Sequence, residues 1–194
     1  MEIGRIVKSN SHVDYVCQVW AAGEVDGAPS RSDHAFGTLV AVDLAEAGSN
    51  LVGVVYDTIL HNPEFGMAGP RFLPPVDSGI LAPDRLAETA TLAGILALGT
   101  LGPGGAYHGV PPTTPAVGAR VRVLGDDEFR DFHRPNGQFA VGYTSHVLGH
   151  RAPLVGPLLL VLSERIEALF PEEAAAIRVV KGNLAWRLKV EQAQ

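Results

Sequence analysis

Two histidines have a spacing that could bind a metal ion. His146 and His150 are four residues apart, which on a helix places both imidazoles on one face at metal-ligand distance. Gly149 lies between them, Pro153 follows closely, and no third ligand stands at an obvious spacing. The pair is therefore a candidate metal site on its spacing alone. The alternative interpretation is a partly exposed pair in a loop or helix.

Other polar groupings suggest acid–base or nucleophilic chemistry, but their geometry argues against it. Three consecutive acids, 126–128, point in different directions on a helix, and acids in a first helical turn interact favourably with the helix dipole. Serine precedes histidine at 11–12 and at 145–146, yet adjacent residues rarely have the geometry of a nucleophile and its base. The motif G-x-S-x-G is absent. The sequence predicts no catalytic residue and no cofactor.

A metal-dependent enzyme or metal-binding protein stays open as an alternative function. It requires the histidines of two Gly/Pro-rich stretches, 61–84 and 102–118, to converge with the later pair. The four residues concerned are His61, His108, His146 and His150.

Composition restricts the class of protein. The 194 residues are 46% hydrophobic and 19% charged, which indicates a globular chain with a core and excludes a disordered one. The net charge is −6 and the 15 basic residues are scattered. This balance argues against direct binding of nucleic acid, which needs a concentrated basic surface. A barrel that binds single-stranded nucleic acid is a further alternative with little support.

Cysteine content and hydropathy indicate the cellular compartment of the protein. Cys17 is the only cysteine, so no internal disulfide forms, and we interpret it as a small buried apolar residue. The longest apolar stretch, 153–162, is about half of the ~20 residues that a membrane span needs. Nothing at the amino end resembles a signal peptide. We expect a cytoplasmic protein that does not enter a membrane.

Short β-branched and aromatic runs dominate the first part of the chain. Four of them, separated by Gly, Asn, Ser and Asp, are typical of strands in a small barrel or sandwich: 3–8, 13–20, 36–43 and 51–60. Clean alternation predicts another strand at 119–124, and a last short strand is predicted at 139–143. Segment 85–101 is ambiguous, because its helical propensity competes with an alternating pattern; propensity alone favours a helix.

The second part of the chain has helical patterns. Helices are predicted at 126–132, at 154–170 and from Pro171 onward, with Gly182 and Asn183 as a stop signal for the last one. Prolines and glycines are dense at 61–84, which predicts a long functional or mobile loop.

The order of the runs resembles the HAS barrel, the small β-barrel of HerA-type ATPases and rotary ATP synthase subunits. The matching pieces are 3–7, 36–40, 51–55, 93–99, the proline-rich 111–115, 118–123 and the acidic 126–129. The resemblance implies that 92–101 is a strand, paired with the strand around Val121. It implies a fold that is mainly β with α: a small closed six-stranded barrel at 1–132, followed by a mostly helical region at 133–194.

The resemblance does not extend to the ATPase domain of that family. Its phosphate loop reads G-x-x-x-x-G-K-[ST], in which the lysine follows a glycine. Here the lysines are Lys8, Lys181 and Lys189, and none follows a glycine. ATP hydrolysis is therefore not expected. The resemblance instead implies a non-catalytic interaction or assembly module, such as an adaptor or regulator of an ATPase and nuclease that process DNA.

Protein partners are therefore expected, either a HerA-like ATPase or its associated nuclease, and homo-oligomerisation is a further expectation. Candidate residues for the interaction surface are Arg5, Trp20, Arg31 and Arg71. The alternative is that these isolated arginines are simply solvated.

Overall fold

The computed structural model describes residues 1–45, 48–62, 89–150 and 153–191. Seven strands come first: β1 (Glu2–Ser9), β2 (Asp14–Val19), β3 (Leu39–Asp43), β4 (Asn50–His61), β5 (Ala90–Gly102), β6 (Gly105–His108) and β7 (Arg120–Val123). Four α-helices follow: α1 (Asp126–Phe132), α2 (Thr144–Gly149), α3 (Val155–Leu169) and α4 (Ala174–Glu191). Short 3-10 turns lie at Pro135–Gly137 and Pro171–Glu173.

Six of the strands form a closed antiparallel barrel. Strand β1 pairs with β2, β2 with β5, β5 with β4, β4 with β3, and β3 with β7, which pairs back with β1. Strand β6 forms a hairpin with β5 alongside the barrel. The predicted fold, mainly β with helices after a closed six-stranded barrel, is confirmed. Closure pairs the edges that an open sheet of short strands would leave exposed.

Two hydrophobic cores explain why the central strands lack polar alternation. The first fills the barrel and receives side chains from all six of its strands, among them Ile3, Cys17, Val40, Ile95 and Val121. The second lies outside the barrel. Strands β3, β4 and β5 therefore bury both faces, and such strands are continuously apolar.

The second core joins the barrel to the helices. Outward side chains of β3, β4 and β5 pack with Phe129 and Phe132 of α1, Leu158 of α3 and Ile177 of α4. Full burial of one such side chain contributes about 1.5–3 kcal/mol relative to an exposed one. The helices are thus held to one side of the barrel mainly by apolar contact.

Segment 92–101 is a strand, as the resemblance implied, but it does not pair with the strand that the resemblance implied. Strand β5 pairs with β2, β4 and β6, whereas β7, which contains Val121, lies between β1 and β3. The expected pairing of these two segments is wrong because β3 and β4 separate them in the barrel. The Gly/Pro-rich stretch 102–118 is not all connection, since it contains β6.

Two predictions for the carboxyl-terminal part are wrong. Residues 139–143 are not a strand; Tyr143 and its neighbours lie beneath the helices, and Ala140 bonds to the backbone of His133. Helix α4 continues through Gly182, whose cost inside a helix is about 1 kcal/mol, and the buried Leu184 beyond it stabilises the continuation. The predicted loop at 61–84 lies, after Asn62, outside the described residues.

Candidate interaction surface

The histidines considered as metal ligands have separate partners. Nε2 of His146 in α2 lies 3.2 Å from the carbonyl oxygen of Ala97, to which it donates. His150 makes an edge contact with the ring of Tyr56 at 5.6 Å between centroids. His61 is exposed at the end of β4. Within the described ranges, no three His, Cys, Asp or Glu side chains are grouped as metal ligands.

His108, the fourth candidate, is half-buried and contacts the rings of the buried His133 and Tyr143. Nε2 of His108 lies 2.8 Å from the carbonyl oxygen of Phe132. His133 is fully buried between Phe129 and Tyr143, and burial lowers its pKa to about 4. In the sequence His133 is marked only by the aromatic residues around it, and no spacing or motif identifies it as a member of this group of rings.

The three consecutive acids contact three different arginines. Asp126 lies 3.6 Å from Arg165, and Asp127 lies 3.6 Å from Arg130. Glu128 accepts two hydrogen bonds of 2.6 Å from Arg122 and also one from the backbone of Gly125. The side-chain bond to Arg122 is the main reason that the pKa of Glu128 is lowered. The carboxylates therefore stabilise the start of α1 and do not converge on one ligand.

The barrel surface is divided into a covered and an exposed part. Outward side chains of β3, β4 and β5 lie beneath the helices. Several outward side chains of β1 and β7 are exposed instead, namely Arg5, Val7 and Arg120, whereas Arg122 of β7 is partly covered by α1. We call the group formed by Glu2, Arg5, Val7, Trp20 and Arg120 the open barrel face.

A tryptophan is fixed in the open barrel face by its two neighbours. Nε1 of Trp20 donates a hydrogen bond of 3.1 Å to Glu2, and the guanidinium of Arg5 lies 5.5 Å from the centroid of the indole ring. The backbone of Trp20 also bonds to Ile3 at 3.0 Å. An ordered, partly exposed indole with an arginine against it is a common anchor of protein interfaces.

Close approach of β1 and β2 supports this arrangement. A Cβ atom at Gly4 would lie 2.0 Å from the carbonyl oxygen of Gln18, so only glycine fits there. The neighbouring Arg5 and Trp20 are thereby brought within reach of each other across the two strands.

Two of the four residues predicted for the interaction surface lie in contact in the structure. Arg5 and Trp20 are in contact. Arg31 is exposed in the connection between β2 and β3, without an ion pair among the described residues. Arg71 lies outside the described residues.

Charges on the open barrel face are mixed. Nε of Arg120 donates to Asp43 at 2.9 Å, and Glu2 is bonded to Trp20, whereas Arg5 lies against the neutral indole and forms no ion pair with the described residues. The face therefore combines an aromatic group with paired and unpaired charge, a composition closer to that of a protein interface than to a phosphate-binding surface.

Comparisons with known proteins give a family without an assigned activity. None of the described helices has the length and apolar character needed to cross a membrane. No curated protein matches the chain. A family model described as a domain of unknown function, DUF8166, matches residues 1–193, and the chain therefore belongs to that family.

Proposed function

We propose that this chain is a non-catalytic protein-interaction or assembly module that binds a partner through the open barrel face. The observation that carries the proposal is the contact of Arg5 with Trp20, on a part of the barrel that none of the helices α1 to α4 covers. Binding would bury an indole whose hydrogen bond to Glu2 is already made. Little side-chain entropy would then be lost on association.

The occupant of this face is a protein of the HerA type, either the ATPase or its associated nuclease. The sequence order of the barrel strands supports this choice through its resemblance to the HAS barrel. The chain would act in such a complex as an adaptor or regulator, because it lacks a phosphate loop of its own. We place this function in the cytoplasm.

Most of the polar side chains considered above as site candidates bond to other parts of the fold, which agrees with a function in protein binding. The imidazoles of His108, His133 and His146 bond to backbone or phenol groups of the fold. The acids at the start of α1 bond to arginines. These groups are occupied in holding elements together, whereas the open barrel face faces solvent.

Affinity purification from the native host, followed by mass spectrometry, tests the proposal. Wild-type chain is compared with Trp20→Ala, and with Val179→Ala as a control for loss of an exposed apolar side chain on α4, where Val179 is 64% exposed. We expect wild type and Val179→Ala to recover a phosphate-loop ATPase or a nuclease, and Trp20→Ala to lose it.

Two results would contradict the proposal. One is repeated recovery of the bait alone by correctly folded wild type. The other is equal recovery of the ATPase or nuclease by wild type and Trp20→Ala, which would place the contact elsewhere on the chain.

A further inference from the structure

A buried histidine, His133, and a half-buried one, His108, join the β5–β6 hairpin to the helical region. His108 is the last residue of β6 and His133 follows α1, with 6.2 Å between their ring centroids. Both rings also contact Phe132 and Tyr143. We call the group of His108, His133, Gly142 and Tyr143 the histidine joint.

Hydrogen bonds at His108 require a neutral imidazole with one particular tautomer. The backbone N–H of Gly142 donates to Nδ1 of His108 at 3.1 Å, so Nδ1 carries no proton. Nε2 lies 2.8 Å from the carbonyl oxygen of Phe132, which only accepts, so Nε2 carries the proton. A second proton, on Nδ1, would place the N–H of the imidazole against the backbone N–H of Gly142, and neither group could accept.

His133 is neutral with the opposite tautomer. Its Nδ1 lies 2.8 Å from the carbonyl oxygen of Phe129 and must donate to it. Its Nε2 then accepts from the hydroxyl of Tyr143 at 2.9 Å. A proton on Nε2 would remove this acceptor and place a charge where the ring is fully buried.

Groups around the joint do not compensate a positive charge. The charged or titratable groups that act on His133 are His108 and Arg165, and both disfavour its protonation. Arg165 lies over Phe129 at 5.0 Å and is itself 3.6 Å from Asp126. Tyr143 also faces the joint, and burial raises its pKa, so the phenol stays neutral.

We propose that the histidine joint is an acid-operated release point, at which protonation frees residues 139–149 from the barrel while the barrel stays closed. Among the described residues, the core cluster inside the barrel consists of apolar side chains with Tyr15 and Cys17. Its Cys17 and Tyr15 are neutral at acid pH, since burial raises the pKa of both. The buried carboxylate of Asp14 lies at the start of β2, where it accepts hydrogen bonds from Asn10 and Tyr56. This inference is independent of the proposed function.

The sign of the pH dependence follows from lowered pKa values. Burial lowers the pKa of His108 and lowers that of His133 to about 4, below the ordinary value of about 6.5. The stabilisation from neutral rings is therefore fully present above about pH 6.5 and is lost as the pH falls toward 4. His133 changes the opening equilibrium by up to about tenfold per pH unit in this window, and His108 adds to the change in the same direction.

Hydrogen exchange measured by mass spectrometry at about pH 7 and about pH 5, corrected for intrinsic exchange rates, tests the release. We expect the protection of residues 139–149 to fall by at least about tenfold at the lower pH, with β1 and β2 keeping theirs. His108→Gln is expected to reduce this pH dependence without abolishing it, because His133 still titrates in the variant. The control His61→Gln, which removes an exposed histidine at the end of β4, is expected to leave it unchanged.

Equal loss of protection throughout the chain would overturn the inference, and so would a pH dependence unchanged in folded His108→Gln. If that variant does not fold, the exchange profile of wild type decides, because local release and global unfolding give different patterns over β1 and β2.

Discussion

Tyr56 donates a hydrogen bond of 2.9 Å to the buried carboxylate of Asp14, and its ring passes over Gly94 to reach it. The bond connects β4 with β2 across the intervening β5. Asp14 also accepts from the side chain of Asn10 at 3.3 Å and is only 8% exposed. Burial and the bond to Asp14 raise the pKa of Tyr56. His150 touches the same ring, so this link also reaches the end of α2.

Substitution of Gly94 by alanine should break this link. The added methyl would lie 3.0 Å from the ring of Tyr56 and 3.3 Å from Cβ of Asp57, so the ring must move. We expect a loss of about 1–3 kcal/mol in the free energy of unfolding, measured by urea denaturation. Gly104→Ala is the control, because no atom lies within 4 Å of its added methyl. Equal stability of the two variants would contradict the packing described.

A double-mutant cycle measures the hydrogen bond itself. Tyr56→Phe and Asp14→Asn should each destabilise the chain, and the double variant should lose less than the sum of the two. We expect a coupling of about 1.5–3 kcal/mol, typical of a hydrogen bond to a charged group. Additive losses in urea denaturation would mean that the two side chains stabilise the barrel independently.

The thiol of Cys17 should react only slowly with thiol reagents in the native protein. Its side chain lies in the barrel interior, and burial raises the pKa of its thiol to about 12. Since the thiolate is the reactive form, a disulfide reagent at about pH 8 should label Cys17 only at the rate of barrel opening. Labelling in denaturant gives the reference rate. Native labelling as fast as the denatured reaction would show that the barrel does not protect this residue.

Glu128→Gln should weaken the attachment of α1 to β7. The substitution removes the charge that makes two bonds of 2.6 Å with Arg122. Because the pKa of Glu128 is lowered, its contribution is present above the ordinary glutamate pKa and is lost as the pH falls below it. Both side chains are about one-third exposed, so we expect only about 0.5–1 kcal/mol at neutral pH.

That loss should shrink in concentrated salt, and a comparison of thermal melting at low and high ionic strength measures it. Asp127→Asn, whose partner Arg130 is 3.6 Å away and whose side chain is fully exposed, is the matched control and should change stability less. A larger effect at Asp127 would contradict the assignment of Glu128 as the main link.

Much of the barrel could be predicted because its strands carry local signals. Strands β1 to β4 and β7 are short β-branched runs between turn residues. Strand β5 could not be assigned from propensity, since its Ala and Leu residues suit a helix, and the resemblance was needed to identify it. Its apolar content is explained by burial on both faces, which depends on the helices outside the barrel.

Contacts between residues that are far apart in the sequence could not be predicted from local sequence patterns. Asp14 and Tyr56 are 42 positions apart and meet only through the register of three strands. Residues 139–143 have a strand-like composition, but they pack under helices, and tertiary contact overrides propensity there. Gly182 reads as a stop signal, yet burial of Leu184 continues α4 beyond it. Arg5 and Trp20 were named separately and are found as one contact.

A measurement of direct binding between this chain and the proposed partner, a HerA-type ATPase or nuclease, tests the central claim most directly. Calorimetric titration should give at least about tenfold weaker binding for Trp20→Ala than for wild type, which corresponds to about 1.4 kcal/mol at an interface anchor. Val179→Ala should bind like wild type. Failure of both proteins to bind wild type, or unchanged affinity of folded Trp20→Ala, would contradict the proposed role of the open barrel face.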